Sequence, residues 1–238
     1  MIRLEINVDL LKSFVKKASL NGDITNINLD FKEDGLYSGV YDSSTVGLTL
    51  TKLSINAFTD YEAIGENTIR NTNMFLKMLN AFDGVINISK PEDYFLKLSQ
   101  GRQKITVMLA ARSVLSNIFD KDKPNIDFKV DGFFDSSDSK KVQKSISLLN
   151  EDKFTFSFKE DNLYFCVGDS ELSDYLELEV PSFKGENNTS VTVGRLFPNF
   201  LKVIDNGFFL SFGDNTPIYL KEENELFTYE VFIAPIVD

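Results

Sequence analysis

The sequence predicts an α+β fold of two similar domains, each built from long antiparallel sheets with two short helices on one face. Three observations predict it. FKEDGLY at residues 31–37 returns as FKEDNLY at 158–164, an offset of 127, and the register holds through Val40, Asp42 and Ser43 into Val167, Asp169 and Ser170. A second echo sets Phe75-Leu76-Lys77 before VINIS against Phe200-Leu201-Lys202 before FFLSF, at an offset of 125. Self-similarity at nearly one offset marks a duplicated module, and 238 residues divide into two halves that are each large enough for a core. Finally, four helix-period segments are spaced evenly among runs of strict alternation.

The helical segments have clearly divided faces. Residues 8–19 place Leu11, Phe14, Val15 and Ala18 on one side and Lys12, Ser13 and Lys16 on the other. Residues 72–83 turn Phe75, Leu79 and Phe82 inward and Asn73, Lys77 and Asn80 outward. Residues 138–150 set Val142, Ile146 and Leu149 against Lys140, Lys141 and Lys144. Residues 195–205 bury Leu196, Phe200 and Ile204 opposite Arg195, Asn199 and Lys202, with Pro198 tolerable only near the first turn. Between them ITNINLDF, VGLTLTKL, YFLKLS, KITVMLA, KFTFSF, YLELEV and YEVFIAP alternate as strands. The order in each half is strand, helix, several strands, helix, several strands, which calls for antiparallel sheets with helices on one face.

Composition excludes several function classes. Hydrophobic residues at 42% and charged residues at 26% place the chain among globular proteins. It has no apolar run of membrane-spanning length, and acids stand near its N-terminus where a signal or transit peptide avoids them, so a soluble intracellular protein is expected. The chain contains no histidine, the commonest general base and metal ligand. Phosphate-cradling, nucleophile-elbow and paired C-x-x-C motifs are also missing. Cys166 lies in the strand-like run LYFCVG and reads as a buried, inert thiol. DKDKPN at 120–125 begins like a calcium loop, but Pro124 and Asn125 stand where an acid and a turn glycine belong, so it reads as a solvated connector. The acid pairs Glu33-Asp34 and Glu160-Asp161 fall at hairpin turns. The expectation is a protein with no catalytic residues, no metal and no cofactor; a carboxylate-dependent hydrolase is the least favoured alternative.

Charge is distributed unevenly. The helical segments carry ten bases (Lys12, Lys16, Lys17, Arg70, Lys77, Lys140, Lys141, Lys144, Arg195 and Lys202) and four acids (Asp9, Asp83, Asp138 and Asp205), a net of +6 in a chain of −11, which leaves −17 elsewhere. Arg70 is counted although it lies just ahead of its helix. Lysine, asparagine and serine without a base-reading motif or an aromatic platform suit sequence-independent contact with a phosphate backbone. The alternative is that these lysines simply solvate their helices.

Residues 41–61, YDSSTVGLTLTKLSINAFTDY, closely resemble the stretch of the proliferating cell nuclear antigen family of sliding clamps in which D-S-S-x-V leads into a long strand and an F-x-x-Y ending. The C-terminal FTYEVFIAPIVD resembles the family's terminal aromatic-x-A-P segment. The resemblance extends over essentially the whole chain. Thr45 stands where many relatives have histidine, Tyr41 where an aliphatic residue is usual, and the connector near 112–127 is short.

The resemblance implies a DNA clamp fold with the sheets outside and the basic helices inward, divided into an N-terminal domain (1–111), a connector (112–127) and a C-terminal domain (128–238). It implies a processivity factor, usually a homotrimeric ring around double-stranded DNA, that tethers DNA polymerase and other replication and repair proteins. A separate clamp loader ATPase would open and close it. The location would be nuclear in a eukaryote and cytoplasmic or nucleoid otherwise, with no membrane partner. The implied pocket for a partner's docking peptide is Tyr41, Val46, Leu48, Ile118, Phe119, Pro217, Phe232, Ala234 and Pro235. The implied subunit interface pairs Ile105, Val107 and Leu109 with Tyr175, Leu176 and Leu178. A subunit restricted to a hetero-oligomeric ring, or a non-loading decoy, is the alternative within the same fold.

Overall fold

A computed structural model describes residues 4–149, 151–168 and 174–237. Asp169, Ser170 and the helix-end residue Asn150, which figure in the sequence expectations, lie outside the described residues. The chain forms two compact units, Met1–Asp120 with Glu223–Tyr229, and Lys121–Glu222 with Glu230–Asp238.

The first unit runs β1 (Leu4–Asn7), α1 (Val8–Ala18), β2 (Ile27–Lys32), β3 (Gly35–Tyr41), β4 (Gly47–Ser54), β5 (Phe58–Asp60), β6 (Gly65–Ile69), α2 (Thr72–Leu79), β7 (Val85–Glu92), β8 (Phe95–Gln100) and β9 (Gln103–Met108). The second half of the chain runs β10 (Val130–Phe134), α3 (Ser136–Leu149), β11 (Phe154–Lys159), β12 (Asn162–Val167), β13 (Leu176–Val180), β14 (Phe183–Gly185), β15 (Thr189–Val193), α4 (Leu196–Leu201), β16 (Phe208–Phe212), β17 (Ile218–Glu223) and β18 (Phe227–Ile233). The two orders are the same, element for element. Strand orders repeat as well: the sheet β5-β1-β7-β8-β9 matches the run β14-β10-β16-β17-β18, and the sheet β13-β12-β11-β15 matches the run β4-β3-β2-β6, the two runs being consecutive in one nine-stranded sheet. Both FKED motifs form hairpin turns, β2 to β3 and β11 to β12. They are made differently. Glu160 and Asp161 take φ of 52° and 60°, whereas in the first copy Gly35 carries the unusual φ of 141°, where a Cβ would meet the Leu53 carbonyl oxygen at 2.2 Å.

Helix ends follow from local chemistry. The Asn7 side chain caps α1 by accepting from the Asp9 N–H at 2.8 Å, with Asp9 in the first turn and Lys16 and Lys17 in the last, a distribution that suits the helix dipole. Asn71 caps α2 through the Met74 N–H at 2.9 Å. Asp135 caps α3 by accepting from Ser137 and Asp138 N–H groups at 2.7 and 2.8 Å, which starts that helix before the expected residue 138. The second and fourth helices are shorter than expected, because the chain tightens after Leu79 and after Leu201 into i to i−3 bonds. Pro198 is the third residue of α4, inside the first turn, where no intrahelical N–H is required.

Leu11, Phe14, Val15 and Ala18 of α1 are fully buried with Phe75, Leu79 and Phe82 in the first unit. The second core is a phenylalanine cluster: Phe134 stacks on Phe208 at 4.8 Å, Phe156 meets Phe197 edge-on at 5.1 Å, and Phe200 meets Phe208 edge-on at 5.2 Å. This is where much of the phenylalanine of the sequence resides. Among the described residues no helix is long and apolar enough to cross a membrane.

Candidate functional site

The helix cations of each unit are mostly outward. In the first unit Lys16, Arg70 and Lys77 are exposed and Lys12 is half-buried, paired with Asp9 at 3.2 Å. In the second, Lys140, Lys141, Lys144, Arg195 and Lys202 are exposed. Asp138 lies largely buried beside Lys141, 2.8 Å from its Nζ, and this hydrogen bond raises the Lys141 pKa, so the lysine is charged at neutral pH. Asp83 and Asp205 fall beyond the helix ends, as do Arg70, Arg195 and Lys202 at the flanks of α2 and α4. Lys17 departs from the expectation. It is 1% exposed, with Nζ 5.4 Å from the Tyr229 ring centroid and 5.8 Å from that of Phe227, so it faces the interior of its unit and not the exposed face. The helical period explains this: Lys17 lies three residues from Phe14, on the apolar side.

The expected partner-pocket residues form two groups, one in each unit. In the first, Asp42 organises the D-S-S turn: its carboxylate accepts from Ser44 N–H (3.1 Å), Ser44 Oγ (2.8 Å) and Gly47 N–H (2.7 Å). Thr45 takes a φ of 58° and Val46 is lifted to 42% exposure at the tip, while Leu48 goes inward at 4% and pairs with half-buried Tyr41 across β3 and β4. Residues 117–119 run antiparallel along β3. Tyr41 N–H donates to the Asn117 carbonyl at 2.7 Å, Phe119 N–H donates to that of Gly39 at 2.8 Å, and Ile118 bridges Val40. A Cβ at residue 39 would meet the Phe119 carbonyl oxygen at 3.2 Å, so glycine permits this approach. Phe119 then packs edge-on against Tyr41 at 5.6 Å. The Asn117 side chain donates to the Asn26 and Tyr41 carbonyls, locking the segment down.

In the second unit Phe232 is buried at 5% and packs on Tyr219 at 4.9 Å, with Pro217 half-buried just ahead of β17 and Ala234 and Pro235 half-buried just after β18. Lys123 lies over the Tyr219 ring at 4.6 Å and donates to its hydroxyl at 3.0 Å, while both groups bond to the Glu230 carboxylate. The connector charge read as solvated is therefore partly tied down at Lys123. Sequence reasoning missed Asp42, Asn117, Lys123, Tyr219 and Glu230. Only Asp42 carried a signal, the Asx-turn chemistry of D-S-S.

Of the expected interface residues, Val107 is buried and Ile105 half-buried on β9, with Leu109 buried just after it, while Leu176 and Leu178 are half-buried on β13 and Tyr175, just before it, is 42% exposed. Both strands end their sheets. Leu109 N–H donates to the Tyr94 carbonyl at 2.9 Å, so by antiparallel alternation Ile105 and Val107 also direct their backbone groups to β8. Lys104, Thr106 and Met108 present theirs to the open edge. The tight β11–β12 turn makes Lys159 and Asn162 a hydrogen-bonded pair, and the same counting points Leu176 and Leu178 inward and Glu177 and Glu179 outward. The backbone groups at the edge thus belong to Lys104, Thr106, Met108, Glu177 and Glu179, which alternate with the expected residues, and, of the expected residues, to Tyr175 alone.

Cys166 is buried, with the Tyr175 hydroxyl 3.0 Å from its sulfur; burial pushes the thiol pKa up and keeps it protonated, the unreactive form. Among the described residues no group of three or more acidic or thiol side chains gathers to hold a metal ion.

No protein-family model matches the chain, and no curated protein matches it in sequence. Solved structures do. A. fulgidus PCNA with the C-terminal region of FEN-1 bound superimposes with a TM-score of 0.84 at 16% identity, covering 100% of this chain and 99% of that one. PCNA of Thermococcus kodakaraensis gives 0.81 at 16% identity over 99% of this chain and 100% of that one. This chain has the PCNA fold. The Entamoeba histolytica protein agrees, at 0.80 and 17% identity over 99% of both chains. Identities this low establish the PCNA fold of two repeated α+β domains and nothing finer about residues.

Proposed function

We propose that this chain is a DNA sliding clamp, a non-enzymatic homotrimer that encircles duplex DNA without sequence preference and tethers polymerase and other replication or repair proteins. The observation that carries the proposal is the set of exposed lysines and arginines on and immediately beside the helices of both units in an otherwise acidic protein with the PCNA fold. Lys12, Lys16, Arg70, Lys77, Lys140, Lys141, Lys144, Arg195 and Lys202 face the DNA; Lys17 is withdrawn from the set. Nothing among these groups reads base edges, which suits a ring that must slide.

Docking peptides enter near the D-S-S turn, the connector and the C-terminal segment, using Tyr41, Val46, Leu48, Ile118, Phe119, Pro217, Phe232, Ala234 and Pro235. The A. fulgidus protein is named with a FEN-1 C-terminal region bound, which supports this mode of tethering. Ring closure uses the edges of β9 and β13. A separate loader ATPase opens the ring, no cofactor is needed, and the protein works inside the cell wherever its DNA is copied. The functional division into 1–111, 112–127 and 128–238 is part of the same proposal.

Light scattering should give three times the subunit mass. After loading on nicked circular DNA by the cognate loader, the protein should stay bound through gel filtration and be lost once the circle is cut. A monomer at micromolar concentration, or equal retention on circular and linear DNA, refutes the proposal.

A further inference from the structure

We propose that the exposed pair Phe133 and Phe209 on the second unit is a further docking site, which takes one apolar side chain from the segment flanking a partner's docking peptide. The inference rests on the docking reading above and adds what that reading leaves open, a second anchor and its spacing from the first.

The internal repeat shows that the fold does not require these rings. Phe133 stands opposite Phe209 across β10 and β16, next to the buried pair Phe134 and Phe208. In the first unit β1 and β7 form the same ladder, with Ile6 and Ile86 as the buried pair and Glu5 opposite Asn87 at the next position. The neighbouring strand continues the contrast: Lys221 and Tyr219 of β17 stand where β8 has Ser99 and Lys97. A face that is polar in the first copy, as a solvated sheet face should be, is partly aromatic in the second. Phe133 is 40% exposed and Phe209 51%, and both lie on the side of the sheet away from the phenylalanine core.

The rings are also held in place. Their centroids are 4.9 Å apart with the planes at 55°. The Phe133 ring lies so close to Gly207 that a Cβ there would meet it at 2.5 Å, so glycine lets the ring rest against the chain. Rings already ordered lose little freedom on binding, while their exposed apolar area gains from being covered.

Continuity identifies the occupant. Strands β10, β16, β17 and β18 are consecutive in one sheet, and the face that carries Phe133 and Phe209 also carries Tyr219, which packs on Phe232 of the expected pocket at 4.9 Å. Half-buried Ser211 and Lys221 lie between. Strand spacing of about 4.8 Å, with the two-residue offset between Tyr219 and the partner of Phe209, sets the aromatic pair roughly 12 to 14 Å from Phe232, the reach of about four extended residues. The occupant is therefore the polypeptide that fills the pocket, carrying an aromatic or long aliphatic side chain about four residues beyond its last pocket anchor.

The test is calorimetric titration of the full chain with its polymerase's docking peptide, extended at either end by a Gly-Ser spacer of about four residues and then by Phe or Ser. The Phe-extended peptide should bind the parent about fivefold more tightly than its Ser control, at one end only. Phe133→Ser combined with Phe209→Ser should erase that gain and leave the affinity of the unextended peptide unchanged. Full-length polymerase, which carries its own flank, should also bind this variant about fivefold more weakly. Thermal melting checks folding, and Phe209→Ser alone carries the same test should the double variant melt early. Equal binding of the Phe and Ser extensions at both ends, a gain that survives in the variant, or polymerase that binds the variant as tightly as the parent overturns the second anchor alone. An unextended peptide that does not bind overturns the docking reading, and the second anchor with it. Association of the parent beyond three subunits that the double variant abolishes would assign the pair to a second copy of this chain and also overturn the proposal.

Discussion

Replacing Asp42 by alanine isolates what the D-S-S turn contributes. The carboxylate holds three donors between 2.7 and 3.1 Å, and two of them behave differently when it is lost. The Ser44 N–H and hydroxyl belong to an exposed residue and rehydrate, whereas the Gly47 N–H belongs to a buried one and is left without a partner. An orphaned buried donor costs roughly 1 to 3 kcal/mol, and the lost charge-assisted bonds add to it, so about 2 to 4 kcal/mol in total is expected. For a chain of this length each kcal/mol lowers the melting temperature by about 2 to 4 °C, which gives a drop of roughly 4 to 16 °C by calorimetry. Ser44→Ala, which removes one exposed hydroxyl, should cost less than about 1 kcal/mol. Docking-peptide affinity should fall in Asp42→Ala as well, because Val46 is no longer held at the tip. A melting temperature for Asp42→Ala no lower than that of Ser44→Ala would refute the reasoning.

Three further outcomes are expected. Alanine at Lys12, Lys16, Lys77, Lys141, Lys144 and Lys202 should reduce loading and clamp-dependent synthesis with the fold intact, and any direct duplex affinity should fall with salt; equal losses from Lys90→Ala and Lys221→Ala would remove the case for a specialised face. Phe232→Ala should weaken binding of a polymerase docking peptide in calorimetry and also cost about 3 kcal/mol of stability, because the ring is buried against Tyr219. Val46→Asp, at an exposed position, should lower peptide affinity alone, and unchanged affinity in both would show that the pocket is misplaced. The third outcome concerns acid stability. The hydrogen bond from Lys52 to Asp34, at 2.7 Å, and that from Tyr37 hold the Asp34 carboxyl below the usual carboxylate range. A depressed folded pKa gives stability that is present above the unfolded value of about 3.9 and lost as pH falls through the folded one. The melting-temperature gap between the parent and Asp34→Asn should therefore be small, since the pair is exposed, but steady from pH 7 to 5 and closing below pH 4; a gap that widens in acid contradicts the assignment.

The sequence by itself determined the duplication, the α+β class, the helix faces and the position of most core residues. These are local matters of period and repetition: Leu11, Phe14 and Val15 are spaced for one helix face, and FKED marks the same hairpin twice whether its turn is closed by Gly35 or by left-handed Glu160 and Asp161. Helix ends were less legible, because Asp135 caps α3 only once the backbone brings two N–H groups to it. The helical period already sets Lys17 three residues from Phe14 on the apolar side, and tertiary structure supplied what covers its charge there, Phe227 and Tyr229, both distant in sequence. It also decided which residues present the open edges of β9 and β13. Alternation along a strand tells which side chains share a face, but which backbone groups point outward depends on the hydrogen-bonded pairing with the neighbouring strand, and that is fixed only when Leu109 finds Tyr94 and the two strands close.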